Sequence, residues 1–168
     1  MTKDYAALAA KYGNFAAPVM KILVDGNDVI QNQKLAVENL IVSLSLRQAG
    51  SASFHIVNAF ELGSRTFAGK VKQLFKPGGR IKVEMGYGST SSLLFCGYIA
   101  ELCLDFGETP RLSVTALDIT RLLMDTIHQN RVYEVSSYSA AFREVMREFA
   151  GYYETLEVEN TDNVLTRV

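Results

Sequence analysis

A chain of 168 residues is one domain, or one domain and the start of another. It buries about 70% of its unfolded surface on folding, enough for a core without metal or disulfide support. A hydrophobic content of 48% excludes disorder, and a net charge of −1 without a long Lys/Arg run leaves no electrostatic footprint for nucleic acid or an anionic membrane.

Residues 2–12 are Ala-rich, with Tyr5, Leu8, Ala9 and Tyr12 at helical spacing, and the pattern predicts a short amphipathic helix ending at Gly13. Nothing here has the long apolar core of a signal peptide, and no run approaches 18 apolar residues, so the expectation is a protein without membrane insertion. Ala16-Ala17-Pro18 breaks the helix. Residues 19–24 read as a strand, Asp25-Gly26-Asn27-Asp28 as a hairpin turn, and residues 29–33 as a returning arm or loop. The first long strand is expected over 35–47, with Leu40, Val42, Leu44 and Leu46 toward the core and Ile41, Ser43, Ser45 and Arg47 mostly wet. Residues 53–60 form the second arm of a hairpin with it. Residues 64–75 change period, with Phe67, Val71, Leu74 and Phe75 at i, i+4, i+7 and i+8, which predicts a short helix with Ser64 as its N-cap.

The most patterned stretch follows. Lys76-Pro77-Gly78-Gly79 turns into residues 81–85, Gly86-Tyr87-Gly88-Ser89 turns out, residues 93–104 form a long second run, and Gly107-Glu108-Thr109-Pro110 leads to residues 112–117. Apolar runs of this length between Gly and Pro punctuation predict an antiparallel meander. In the long run, Phe95, Gly97, Ile99 and Glu101 share one phase, and Leu94, Cys96, Tyr98, Ala100, Leu102 and Leu104 the other. Cys96 and Cys103 are seven apart in it. On a straight strand they lie on opposite faces roughly 23 Å apart, so they are expected to be two unbridged, reduced thiols. Residues 118–126 read as a helical turn carrying Leu122 and Leu123, 131–135 as a short strand, 138–151 as a helix with Gly151 at its C-cap, and 156–160 as an extended run. The division is an N-terminal helix and linker (1–18), a β-barrel (19–135), and a helix with an extended segment that starts a further domain (136–168).

No motif carries catalytic chemistry. His55 sits mid-strand and His128 in a polar loop, without metal-ligand spacing around either. Gly86-Tyr87-Gly88 lacks the third glycine of a dinucleotide fingerprint and leads into a strand. The serines at 89–92 and 136–139 suit a turn and a helix cap, and Asp105, Glu108, Asp118 and Asp125 suit loops and element ends. The expectation is therefore no catalytic residue, cofactor or metal.

In order and spacing, Lys76-Pro77-Gly78, Gly86-Tyr87-Gly88, Phe95-x-Gly97-Tyr98-Ile99 and Ala116-Leu117-Asp118 before Leu122-Leu123-Met124 resemble the phage late control protein D family, over residues 19–151. That family includes baseplate hub proteins of contractile tails and is similar to the hub half of the valine–glycine repeat spike proteins of type VI secretion. The resemblance implies a mainly β (α+β) fold, an antiparallel tube-like β-barrel with flanking helices. It implies a structural part, not an enzyme, made in the bacterial cytoplasm and built into a phage tail or injection particle. Its partners would be itself, in a ring that is a trimer in the family, the tail tube protein, the spike protein and other baseplate proteins, with DNA or cargo in transit. Under this reading Ser43, Ser45, Arg47, Lys82 and Glu84 face the lumen or solvent. Leu94, Cys96, Tyr98 and Leu102 form a subunit interface, and Pro77, Gly78, Gly86, Tyr87, Gly88 and Gly97 make structural turns. The rival readings are a monomeric barrel enclosing a small apolar ligand, and a hydrolase with dispersed acids.

Overall fold

A computed structural model describes residues 4–125, 132 and 134–161. Helix α1 (Tyr5–Lys11) leads through a 3-10 turn (Gly13–Phe15) into β1 (Pro18–Val24) and β2 (Asn27–Asp28). Then come β3 (Val37–Ser43), β4 (Ser51–Val57), β5 (Phe60–Glu61), β6 (Thr66–Phe67) and α2 (Val71–Leu74). The chain continues with β7 (Arg80–Tyr87), β8 (Thr90–Asp105), β9 (Arg111–Leu117), α3 (Ile119–Asp125) and α4 (Tyr138–Arg147). Among the described residues, seven strands form one antiparallel sheet in the order β2-β1-β7-β8-β9-β4-β3, and β5 and β6 form a separate hairpin.

Period-two alternation sends one face of the sheet inward. Ile22 and Val24 of β1, Ile81 and Val83 of β7, Phe95 and Ile99 of β8, Leu112, Val114 and Ala116 of β9, and Ala52, Phe54 and Ile56 of β4 form one buried cluster. Val29, Ala59, Val71 and Phe75 close over it from the connecting segments. The expected meander is present: β7, β8 and β9 are consecutive neighbours. The Asp25-Gly26 hairpin also stands, with φ of +46° and +81° as a two-residue primed turn requires. Asp25 fixes it further, since its Oδ1 accepts from the Arg80 N–H at 2.9 Å.

The mainly β, α+β class holds, but the sheet does not close into a barrel: β2 and β3 stand at its two ends. β2 is only two residues long, and β3 is interrupted by a bulge between Glu38 and Ile41, with Asn39 at φ +54°. Neither end offers an unbroken ladder for closure. Instead the segment from Val29 to Ala36 runs between them; Leu35 N–H donates to Val29 O and Val57 N–H to Ala36 O.

Other expectations change in detail. β3 ends at Ser43, so Leu44 and Leu46 leave the sheet and are exposed, while Leu40 and Val42 do pack on the core. The helix expected over 64–75 shrinks to α2, capped at Lys70; Ser64 sits in the β5–β6 turn, its Oγ within 2.7 Å of both Glu61 Oε2 and Thr66 Oγ1. Of the strand expected at 131–135, Arg131 and Tyr133 lie outside the described residues, and Val132, Glu134 and Val135 are not in a strand. α4 starts as expected, Ser137 Oγ accepting from Ala140 N–H at 3.2 Å, but ends at Arg147, before Gly151. Residues 156–160 are extended without joining a sheet. They lie along α4, where Arg143 donates to Val158 O and Asn160 Oδ1 at 2.7 Å each.

Candidate functional site

Two bulges in the β7–β8–β9 meander decide what β8 presents on each face. Both insert a residue in β8: Leu94, opposite the Val83–Glu84 step of β7, and Ala100, between Ile99 and Glu101. Each extra residue shifts the strand's phase by one. The four residues expected to share an interface, Leu94, Cys96, Tyr98 and Leu102, are thereby separated. Leu102 pairs with Val114 and packs against the core. Leu94 is itself the extra residue of the other bulge and lines a groove with Tyr12, Phe15, Met85, Tyr87 and Ser92. Cys96 and Tyr98 stay together on the outer face, opposite Lys82 and Arg80. The second bulge also corrects the cysteines. Cys103 pairs with Ser113 on the outer side of β9, so both thiols share a face, and both are free.

The outer face of β7 and β8 is the most structured polar surface described. Lys21 of β1 reaches Glu84 (3.7 Å) and the Ser91 hydroxyl (3.3 Å), and Ser91 Oγ donates to Glu84 Oε2 at 2.8 Å. Beside this group, Arg80 and Lys82 both hold Glu154, at 3.3 and 2.6 Å. Glu154 belongs to the stretch after α4, which crosses this face. Its neighbour Tyr152 meets the Tyr98 ring edge-on at 5.8 Å, and Tyr152 O accepts from Cys96 Sγ at 3.7 Å. The Lys82 hydrogen bond holds the Glu154 carboxyl below its ordinary range. Burial, followed by the Glu154 charge, pushes the Cys96 thiol up. Burial, followed by Asp125, raises the Tyr98 phenol. These shifts describe a covered polar surface; nothing there forms a nucleophile with its base.

The expected lumen residues divide into two places. Lys82 and Glu84 are half-buried on this central face. Ser43, Ser45 and Arg47 are exposed at or just past the end of β3, where Ser45 Oγ accepts from Arg47 N–H at 3.2 Å. Four inter-strand steps separate β7 from β3, ~19 Å across a sheet. Lys82 pairs directly with Cys96, so residues assigned to lumen and interface share one surface. Ile41, Leu44 and Leu46 cluster in sequence at the β3 end and are all more than 60% exposed.

Among the turn residues, Pro77, Gly78 and Gly88 lie in turns, Gly78 N–H donating to Ile99 O at 2.8 Å. Gly86, Tyr87 and Gly97 instead lie in strands. A Cβ on Gly97 would overlap the Leu117 carbonyl, and one on Gly86 the Thr90 carbonyl, so these glycines serve close approach of backbone.

Of the titratable groups singled out in the sequence, His55, Asp105, Asp118 and Asp125 have structural partners. His55 Nδ1 lies 2.9 Å from Ser113 Oγ across β4–β9; His128 is outside the described residues. Asp105 Oδ1 accepts from Gly107 N–H at 3.1 Å, and Asp125 pairs with Arg121 at 2.6 Å. Asp118 ties two elements together, its Oδ2 accepting from Gly50 N–H (2.8 Å) and its Oδ1 from Thr120 N–H (2.9 Å). Asp118→Ala is expected to lower stability by about 1–2 kcal/mol, read as a lower midpoint in urea unfolding. Among the described residues no three His, Cys, Asp or Glu side chains converge to hold a metal ion, and no helix is long and apolar enough to cross a membrane.

What the sequence alone does not reveal is the strap formed by Tyr152 and Glu154, because its partners lie on strands more than 50 residues earlier. The nearest signal is the Tyr152-Tyr153-Glu154 cluster itself.

The fold has a solved relative. The 43 kDa tail protein of prophage MuSo2 from Shewanella oneidensis superposes with a TM-score of 0.64 at 15% identity, covering 90% of this chain and 45% of that one. The chain therefore spans less than half the length of that protein. No curated protein matches it by sequence. A family model described as the Alg8 N-terminal domain matches residues 15–167, from the 3-10 turn through the sheet to the segment beyond α4. That match takes in the whole β-sheet and the strap across it, and the chain belongs to the Alg8 N-terminal domain family.

Proposed function

We propose that the chain is a non-enzymatic structural subunit of a phage tail or related injection particle, in the position of a baseplate hub between tail tube and spike. The observation that carries this reading is the shared fold with a prophage tail protein over 90% of the chain. Two features of the surface support it. The sheet is open, with β3 at one end, and Ile41, Leu44 and Leu46 expose apolar side chains there. An apolar sheet end of this kind is a template for pairing with another chain. Away from the strap, the outer face carries Lys21, Glu84, Ser53, His55 and Thr115, a mixed-charge wall that would let nucleic acid pass without retaining it. In this role the chain joins copies of itself in a ring, with tail tube and spike proteins above and below. The rival ligand barrel has less support, because the sheet is open and its inner face is filled by Phe54, Phe75, Phe95 and Ile99.

Electron microscopy and sedimentation of the purified chain, alone and with a tail tube protein, test the reading. The expected result is rings or a stable complex, lost in the Leu44→Asp/Leu46→Asp variant while its melting temperature is kept. A strict monomer at high concentration that binds neither tube nor spike protein would overturn it.

A further inference from the structure

The segment carrying Tyr152 and Glu154 covers the outer face of β7 and β8 without belonging to the sheet. Both strands are already paired on both sides, β7 with β1 and β8, β8 with β7 and β9. Among the described residues no backbone hydrogen bond joins the segment to either strand; Tyr152 N–H donates to Phe149 O, within its own stretch. Its hold consists of side chains meeting the face: Glu154 on Arg80 and Lys82, the Tyr152 ring on Tyr98, and the Cys96 thiol on Tyr152 O. The charged partners stay 31–41% exposed, and exposed ion pairs are weak and screened by salt.

Beneath and beside the strap lies apolar surface. Tyr98, Ala100, Leu117, Leu122 and Tyr152 line one groove, together with the Arg121–Asp125 ion pair. Removing Tyr152 would add Cys96 to the patch formed by Tyr98, Leu117 and Leu122. The cover this chain provides brings an aromatic ring and, two residues on, a carboxylate that reaches the Arg80–Lys82 pair. The chain carries that segment itself, so a second copy supplies a matching one, and exchange between copies keeps every contact while linking the molecules.

We propose that the outer face of β7–β8 is a docking site for the Tyr152–Glu154 strap of a second copy, and that the strap seen folded back on its own sheet is the unassembled form of the same contact. This rests on the assembly reading above, which it deepens by naming a contact between copies. A weak intramolecular strap keeps the patch covered in the free chain and yields to the intermolecular strap when copies are concentrated by assembly.

Cys96 reports on the strap directly, because its thiol lies under it, while Cys103 is exposed and is removed as Cys103→Ser. In that background Tyr152→Ala/Glu154→Gln is expected to raise the rate of Cys96 modification by a disulfide reagent about tenfold, as opening of the segment becomes frequent. Lys82→Gln, made from the other side of the pair, should raise the same rate and add little on top of Glu154→Gln. Acid acts through Glu154, which faces Arg80, Lys82, Cys96 and the Tyr98 ring. Its folded carboxyl titrates below its ordinary range, so the closing contribution is complete above that range and is lost as pH falls through the lowered value.

Exchange is tested by mixing. The strap-defective chain with Cys96 intact is combined with a clamp-defective chain (Arg80→Gln/Lys82→Gln/Cys96→Ser) whose strap is intact. The expected result is renewed protection of Cys96, growing with the concentration of the second chain. An unchanged labelling rate in the strap variant would sink the strap, and absence of protection on mixing would sink the exchange. Neither result touches ring formation with tail proteins, which is read separately by microscopy.

Discussion

Phe54→Ala is expected to remove about 3–5 kcal/mol of folding stability, a large fraction of the total for a domain of this size. Phe54 is 1% exposed at the centre of β4, opposite Val114 of β9, and its ring meets Phe75 edge-on at 6.2 Å. Phe75 follows α2, so this one ring joins the sheet to the segment that closes over it. Truncation leaves a cavity lined by strands on one side and α2 on the other, and the hydrogen-bonded ladders to β3 and β9 keep β4 from collapsing into it. Urea unfolding should show a lower midpoint at unchanged slope, and a thermal shift on the order of 10 °C. Phe54→Leu, which keeps most of the volume, should cost less than half as much. Equal losses for the two would mean that the ring does not bridge sheet and helix.

Gly97→Val is expected to be nearly as damaging, for the opposite reason. Gly97 lies inside β8, paired with Ile81, and is fully surrounded. A Cβ there would overlap the carbonyl of Leu117 on β9 and stand 2.9 Å from the Phe95 ring. The Leu117 carbonyl is backbone held in the β4–β9 ladder, so it cannot rotate away as a flexible side chain would. The strands must separate where β8 is about to bulge, and we expect a loss of about 3 kcal/mol, at the upper end for overpacking. Gly107→Ala is the control. Its Cβ would meet nothing nearer than 3.7 Å, in the exposed turn between β8 and β9, and the change should stay within about 0.5 kcal/mol. A tolerated Gly97→Val would show that β8 and β9 approach less closely than the register requires.

The free chain has both covered and uncovered apolar surface. Its inner face is filled, and the strap covers part of the outer one. Ile41, Leu44 and Leu46 at the β3 end, and Met85 and Leu94 beside the N-terminal aromatics, stay in solvent. In a particle these are the places where neighbouring subunits would be sought first.

Local information in the sequence determined the meander. Alternation in residues 81–85, 93–104 and 112–117, cut by Pro77-Gly78, Gly88 and Gly107, is enough to define three strands and their pairing, because each contact is between sequence neighbours. The glycine that ends α1, the serine N-cap of α4 and the Asp25-Gly26 turn were legible for the same reason: the group that satisfies the backbone donor or sets the φ lies within a few residues, whereas the end of α4, expected at Gly151, was not. Three features needed the tertiary structure. Whether the sheet closed depended on its two ends, β2 and β3, which meet through no pattern that a linear reading contains. The faces of β8 depended on bulges at two places, and a bulge is invisible to period counting because one extra residue reverses every side chain beyond it; this is why Leu94, the extra residue of one bulge, and Leu102, beyond the other, parted from Cys96 and Tyr98. The strap depended on pairing Glu154 with Arg80 and Lys82 across more than 70 residues, a contact decided by where folding brings the segment after α4 and by charge, neither of which leaves a periodic trace in the chain.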